Sequence, residues 1–122
     1  MTFDPSTLRY DEKGLIPAIA QDADDGTVLM MAWMNAESMA RTLASGKVTY
    51  WSRSRGAFWV KGETSGHTQK LIDFRFDCDA DCLLLTVQQV GPACHTNRRS
   101  CFYRSVQNGA VVELTSPEAV QP

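Results

Sequence analysis

The chain has 122 residues, 43% of them hydrophobic and 21% charged, with a formal net charge of -2. That is the length of one domain with one core and the composition of an ordinary globular protein, with too little positive charge for an extended nucleic-acid surface. No apolar run approaches the roughly 20 residues of a membrane crossing, and the polar start MTFDPSTLRYDEKG lacks a signal peptide's apolar stretch, so a cytoplasmic protein without membrane or nucleic-acid partners is expected.

Residues 15–20 read as a short strand, and the turn signal Asp24-Asp25-Gly26 leads into a second apolar run at 27–33, which predicts a hairpin. Asn35 suits a helix N-cap, Glu37 its first turn and Gly46 its end, with an apolar stripe from Met39, Leu43 and neighbouring alanines. Residues 48–52 and 57–61 form another strand pair around Arg55-Gly56. From Ile72 to Leu84 apolar and acidic residues alternate, the period of a strand, with Asp73, Arg75, Asp77, Asp79 and Asp81 on one parity and Phe74, Phe76, Cys78 and Cys82 on the other. A bend near Ala80-Asp81 would lead into a further strand at 83–90, which Gly91-Pro92 ends. Residues 101–106 and 110–114 make a last hairpin around Asn108-Gly109. The sum is an α+β fold, a mostly antiparallel or mixed β-sheet with one or two helices, in a single domain over residues 1–115 with a loose tail at 116–122.

Four cysteines in a chain of this kind, Cys78, Cys82, Cys94 and Cys101, point to metal or catalytic use sooner than to disulfides, with small buried hydrophobes as the alternative. The spacing C-x3-C-x11-C-x6-C has no zinc-finger knuckles, no C-x-x-C redox pair and no H-x-E…P-C-x-x-C signature of the zinc deaminases. A catalytic zinc takes three protein ligands and keeps a fourth position for water, whose pKa falls to about 7. Cys78 alone sits between two aspartates. If it bound zinc with Cys94 and Cys101, His95 would stand beside a ligand, placed to orient or deprotonate that water. Closure of all four thiolates into a structural site is the other arrangement. Asp77, Asp79 and Asp81 repel one another unless solvated or neutralised, and a hard cation such as Mg²⁺ suits them if the strand bends to bring them together. An acidic edge that discourages strand pairing is the alternative.

The stretch "DCDADCLLLTVQQVGPACHTNRRSCF", residues 77–102, resembles the phosphoribosyl-AMP cyclohydrolase family, and the resemblance continues upstream through "VLMMAWMN", "YWSRSR" and "WVKGETSGHTQ". It implies an enzyme of histidine biosynthesis that hydrolyses the N1–C6 bond of the adenine ring of N1-(5-phosphoribosyl)-AMP. It further implies zinc on Cys78, Cys94 and Cys101, magnesium on Asp77, Asp79 and Asp81, and an intertwined homodimer in which Cys78 of one copy meets Cys94 and Cys101 of the other. Cys82 is then a packed small residue and His95 a general base or proton shuttle.

A nucleotide substrate with two phosphates needs donors. Ser52, Arg53, Ser54 and Arg55 offer two guanidinium forks and two hydroxyls, or else a solvated hairpin rim. The run "KGETSG", with Lys61, Glu63, Thr64 and Ser65, suits a loop wrapping a ligand. Trp51 and Trp59 would stack on a purine or sit in the core. His67 and Gln69 are further contacts, and Arg98, Arg99 and Arg104 serve phosphate or surface. The sequence departs from the family at Asn97, where the "CHTG" run has glycine. Its 122 residues leave no room for the pyrophosphohydrolase domain fused in some relatives, so the preceding step is expected of another protein.

Overall fold

The computed structural model describes residues 1–118, and the part of the expected tail at 119–122 lies outside the described residues. β1 (Ile16–Asp22) and β2 (Val28–Met34) form the expected antiparallel hairpin. Asn35 then caps α1 (Ala36–Ser45): its side chain accepts from the Ser38 N–H at 2.8 Å, while the Ser38 hydroxyl accepts from the Asn35 N–H at 2.9 Å. Gly46, in the left-handed conformation, ends the helix. β3 (Thr49–Ser52) and β4 (Ala57–Val60) follow as a second hairpin, then β5 (Gln69–Phe76) and β6 (Leu83–Gln89) as a third.

These strands make one sheet in the order β4-β3-β2-β1-β6-β5, mixed because β1 and β6 run parallel. A fourth hairpin, β7 (Arg104–Gln107) with β8 (Ala110–Glu113), stands apart from it. The far edge of the sheet curls back: the Leu71 N–H donates to Gly46 O, and the Val48 N–H to Gln69 O, joining β5 to the residues entering β3. No helix among the described residues is long and apolar enough to cross a membrane.

One face of the sheet is the core. Ile16, Ala18 and Ala20 of β1, Leu29, Met30 and Met34 of β2, and Leu83, Leu85 and Val87 of β6 are buried there under Met39 of α1, with Val48 and Tyr50. The opposite face pairs Pro17 with Trp33, Ile19 with Met31 and Leu84, and Trp51 with Trp33 and Phe58. It is apolar yet only half covered, and Met31 keeps 42% of its surface exposed.

The alternation from Ile72 to Leu84 is strand only as far as Phe76, and the bend expected near Ala80-Asp81, with a further strand after it, forms within a wider turn. β5 stops at Phe76, residues 77–82 turn, and β6 starts at Leu83, which pairs back with Phe76. Aspartate competes with strand pairing by accepting from nearby backbone: Asp77 accepts the Asp81 N–H on its side chain at 3.0 Å and the Ala80 N–H on its carbonyl at 3.0 Å, with Ala80 at φ 60°. The parity is broken as well, because a register shift between Leu71 and Asp73 bulges Ile72 outward. On the core side Phe3 covers this end, its ring 5.8 Å from those of Phe74 and Phe76, and the Arg9 N–H donates to Ala80 O at 2.7 Å.

A buried polar chain crosses the curled side. Tyr50 donates to Gln69 Oε1 at 2.7 Å, Gln69 Nε2 donates to Gln89 Oε1 at 2.9 Å, and Gln89 Nε2 donates to Val90 O at 3.1 Å. Gln69 is 1% exposed, so its amide has no water to fall back on. Gln69→Leu leaves the Tyr50 hydroxyl without its acceptor and is expected to cost about 2 kcal/mol. Urea unfolding checks this: the midpoint drops while the slope holds, and an unchanged midpoint would contradict the bridging role.

Candidate active site

Two thiols meet on the irregular segment between β6 and β7. Cys94 is buried, and it accepts a hydrogen bond from the Thr96 hydroxyl at 3.0 Å. Burial opposes its ionisation, but the Thr96 hydroxyl and N–H, the Cys101 thiol and the Arg98 charge together outweigh it and lower the Cys94 pKa. Cys101 is pushed up to about 12, by burial first and then by Cys94, although the residue as a whole is exposed. The two thiols are neighbours that bear on each other's ionisation: Cys101 lowers the Cys94 pKa, and Cys94 raises that of Cys101. Lys61 lies close by. Its ammonium donates to Ala93 O at 2.6 Å, and desolvation lowers its pKa against the pull of both thiols.

The loop that brings Lys61 here is locked by glycines. Gly62, at φ +82°, has no room for a side chain, because a Cβ would lie 2.4 Å from the His67 carbonyl carbon. Gly91, at φ +69°, faces the His67 ring, which would stand 2.6 Å from a Cβ there. His67 is thus held between the loop's own start and the first residue after Val90. The same loop lines a cavity of about 630 Å³ with Lys47, Lys61, Glu63 and Lys70. Thr64 and Ser65 are exposed at its tip, where the Ser65 hydroxyl accepts the His67 N–H at 3.2 Å. Gln69, at its end, belongs to the buried chain described above.

The acidic turn forms a second constellation. Carboxylate oxygens of Asp77, Asp79 and Asp81 all lie within 4.8 Å of one another, and among the described residues this is the one group of three or more acidic, histidine or cysteine side chains so close. The Asp81 N–H holds the Asp77 carboxyl below the usual range, while the neighbouring Asp77 carboxylate raises Asp81. Three exposed oxygen donors with no cation among the side chains they pair with are a donor set for a hard ion. Cys78 is exposed within this turn; Cys82 is half-buried, its thiol pKa raised by desolvation.

Cys78 does not join the thiol pair within one chain. The seven residues of β6 lie between them, which carry the chain roughly 20 Å. His95 is exposed beside Cys94, at the tip of a turn closed by the Asn97 N–H donating to Cys94 O. Asn97 has φ 64°, the left-handed region that glycine enters freely and asparagine tolerates, so this backbone keeps a glycine's shape. Its side-chain amide donates to Glu118 O at 2.6 Å, which ties residues at the end of the described chain to this loop.

Ser52, Arg53, Ser54 and Arg55 cluster on the β3–β4 turn. Arg53 lies over the Trp33 ring at 4.6 Å, and Arg55 Nε reaches the Ser52 hydroxyl at 3.4 Å. With Trp33 and Trp51 this turn lines a second cavity of about 630 Å³ on the half-covered face of the sheet. Trp59 lines the same cavity and also packs on Tyr50, at 4.9 Å between ring centroids. Arg98 and Arg104 stack on one ring, Tyr103, at 3.9 and 4.9 Å, and Arg98 also pairs with Glu113. Arg99 is bound to Asp22 and Asp25, partners 77 and 74 residues away that no local pattern announces.

A family model described as phosphoribosyl-AMP cyclohydrolase matches residues 30–103. Proteins of that name are 74% identical in Ruegeria pomeroyi and 70% in Dinoroseobacter shibae, each over 117 residues that cover 96% of this chain and 98% of theirs. A third, from a Jannaschia species, is 72% identical over 116 residues, 95% of this chain and 98% of its own. With likeness of that depth along nearly its whole length, the chain belongs to the phosphoribosyl-AMP cyclohydrolase family of hydrolytic enzymes.

Proposed function

We propose that this protein hydrolyses the N1–C6 bond of the adenine ring of N1-(5-phosphoribosyl)-AMP, a step of L-histidine biosynthesis in the cytoplasm, as a homodimer with zinc held by Cys78 of one copy and Cys94 and Cys101 of the other. Magnesium sits on Asp77, Asp79 and Asp81. The observation that carries this reading is the thiol pair: Cys94 and Cys101 lie near enough to shift each other's pKa, and the third thiol of the set lies at the other end of β6.

Zinc on thiolates supplies the Lewis acidity that makes water a nucleophile at neutral pH. The remaining work falls to the chain. Thr96 donates a hydrogen bond to the Cys94 sulfur, and Lys61 fixes the Ala93 carbonyl beside the two thiols. Alkylation at N1 leaves the purine cationic, so C6 is electrophilic. Water adds at C6 as His95 takes one of its protons. The C6–N1 bond breaks with its electron pair leaving on N1, which receives that proton as the formamidine nitrogen, and the second water proton is released to solvent as the C6 carbonyl forms. C6 becomes the carboxamide carbon of the product. Trp51, Arg53, Ser54, Glu63 and Thr64 are candidate contacts to the ring, riboses and phosphates around this centre.

Two features support a second copy as the missing partner. The half-covered sheet face exposes Met31 beside Trp33 and Trp51, and the β7–β8 hairpin leaves Val106 77%, Val111 68% and Leu114 58% exposed. A two-stranded hairpin is marginal alone in water, and one with this much apolar surface gains from being covered.

Cys94→Ala is expected to lose both bound zinc and turnover. Asp79→Asn keeps zinc but loses magnesium dependence and most activity, and Cys82→Ser keeps both metals. Metal analysis alongside an absorbance assay of ring opening, with and without chelator, checks all three; full turnover by metal-free Cys94→Ala protein would remove zinc from the mechanism, and zinc loss in Cys82→Ser would favour a four-thiolate structural site. Sharing between copies has its own signature. Cys78→Ala and Cys94→Ala proteins, each inactive, should regain roughly a quarter of wild-type activity when unfolded together and refolded, because half the dimers are hybrids with one intact site. No recovery, with hybrids present by mass spectrometry, would place all three thiols in one chain.

A further inference from the structure

Residues 91–103 belong to no helix or strand, yet they must hold two thiols side by side. Besides the Asn97 turn and the Thr96 bond to Cys94, backbone bonds from the Ala93 N–H to Arg99 O and from the Cys94 N–H to Arg98 O, both at 3.1 Å, tie the segment to itself. Three attachments tie it to the sheet. Lys61 grips Ala93 O. The Ser100 hydroxyl donates to Val28 O at 2.6 Å and the Cys101 N–H to Leu29 O at 2.7 Å, which anchors the Cys101 end on β2. Between the thiols Asn97 and Arg98 are held by residues 113–118, and the ion-paired attachment to the end of β1 and the turn after it is Arg99, whose Nη2 lies 2.8 Å from Asp22 Oδ2 and 3.0 Å from Asp25 Oδ2.

Asp22 is the rigid half of this contact. It ends β1, its side chain is 6% exposed, and its other oxygen accepts the Asp24 N–H at 2.7 Å. The carboxylate is therefore fixed by backbone, with one oxygen left for Arg99. Removing the guanidinium strands a buried charge, and the segment between Cys94 and Cys101 keeps only the Ser100 bond to Val28 O on that side.

We infer that Arg99 is a positioning residue for the metal centre: anchored on Asp22 and Asp25, it sets the spacing of Cys94 and Cys101 before any ion arrives. This rests on the zinc reading above. The clamp touches neither substrate nor metal and acts by fixing the backbone that carries two ligands, so its loss is felt in metal retention and ligand geometry.

The test uses the full-length protein loaded with cobalt(II) in place of zinc, together with the rate of zinc transfer to a chromogenic chelator. In Arg99→Met the thiolate-to-cobalt and d–d bands shift, and zinc transfer accelerates by about 10- to 100-fold. Asp22→Asn reproduces the change, the double variant is no worse than either single, and Arg99→Lys recovers part of the loss. Should Arg99→Met fail to fold, Asp25→Asn, which removes only the outer carboxylate, must show a smaller change of the same sign. Wild-type bands and transfer rates in these variants, or single effects that multiply, overturn the clamp alone. Absence of any thiolate-to-cobalt band in the wild-type protein overturns the zinc reading and the clamp with it.

Discussion

One strand separates the two halves of the chemistry. β6 has the acidic turn with Cys78 before it and the Cys94–Cys101 pair after it, and an extended strand of seven residues does not fold back on itself. A centre that used all three thiols would, on the proposed reading, draw them from two copies. The single chain looks built for that outcome, with an apolar sheet face half open and a β7–β8 hairpin presenting valines to solvent. The parallel pairing of β1 with β6 extends the constraint, because Ala18 meets Leu83 near the acidic turn while Asp22 meets Val87 near the thiol pair. β1 thus serves both ends: its carboxyl end supplies the anchor for Arg99, and the segment before it reaches Ala80 through the Arg9 N–H.

Around the thiol pair, precision comes from polar groups that cannot relax. Tyr50, Gln69 and Gln89 form a buried chain in which each group's partner is another member or fixed backbone, and the chain ends at the residues flanking His67 and Gly91. Gly62 and Gly91 then hold His67 where any side chain on either glycine would collide. The effect is to place the KGETSG loop and the start of the thiol segment against each other, so that Lys61 reaches Ala93 O across 32 positions of sequence. Rigidity of this kind is what a catalytic site needs from its surroundings, since small displacements of reacting groups are costly in rate.

Much of this was legible in the residues, for physical reasons that also explain what was not. The helix announced itself at Asn35 and Gly46 because capping is a local bargain between a side chain and its own backbone. The hairpins at Gly26 and Gly56 were readable for the same reason. The stretch from Ile72 to Leu84 misled because a period of two describes a strand and also an aspartate-rich turn, and the left-handed Ala80 that decides between them has no signature of its own. Asn97 shows the reverse: a residue that departs from the family run adopts the same left-handed backbone, so the loop survives the exchange. The clamp on Arg99 was illegible, since aspartates in one turn and an arginine in a distant segment carry no mutual signal until the sheet brings them together. The resemblance pointed to ligands; it did not reveal what holds them.

Charge completes the picture of how two copies would meet. At one end of β6 three carboxylates stand exposed within 4.8 Å of one another, with no lysine or arginine paired to them among the described residues. At the other end Lys61 has no carboxylate partner among those residues, while Arg98 is paired with Glu113 and Arg99 with both Asp22 and Asp25. A two-fold interface presents the same patch twice, so three clustered carboxylates docked like to like would repel, and crossing the ends avoids that. Crossing the ends is also the arrangement that delivers Cys78 to Cys94 and Cys101. The electrostatics and the ligand set therefore ask for the same geometry, and a like-to-like docking of the acidic turns would be opposed by both.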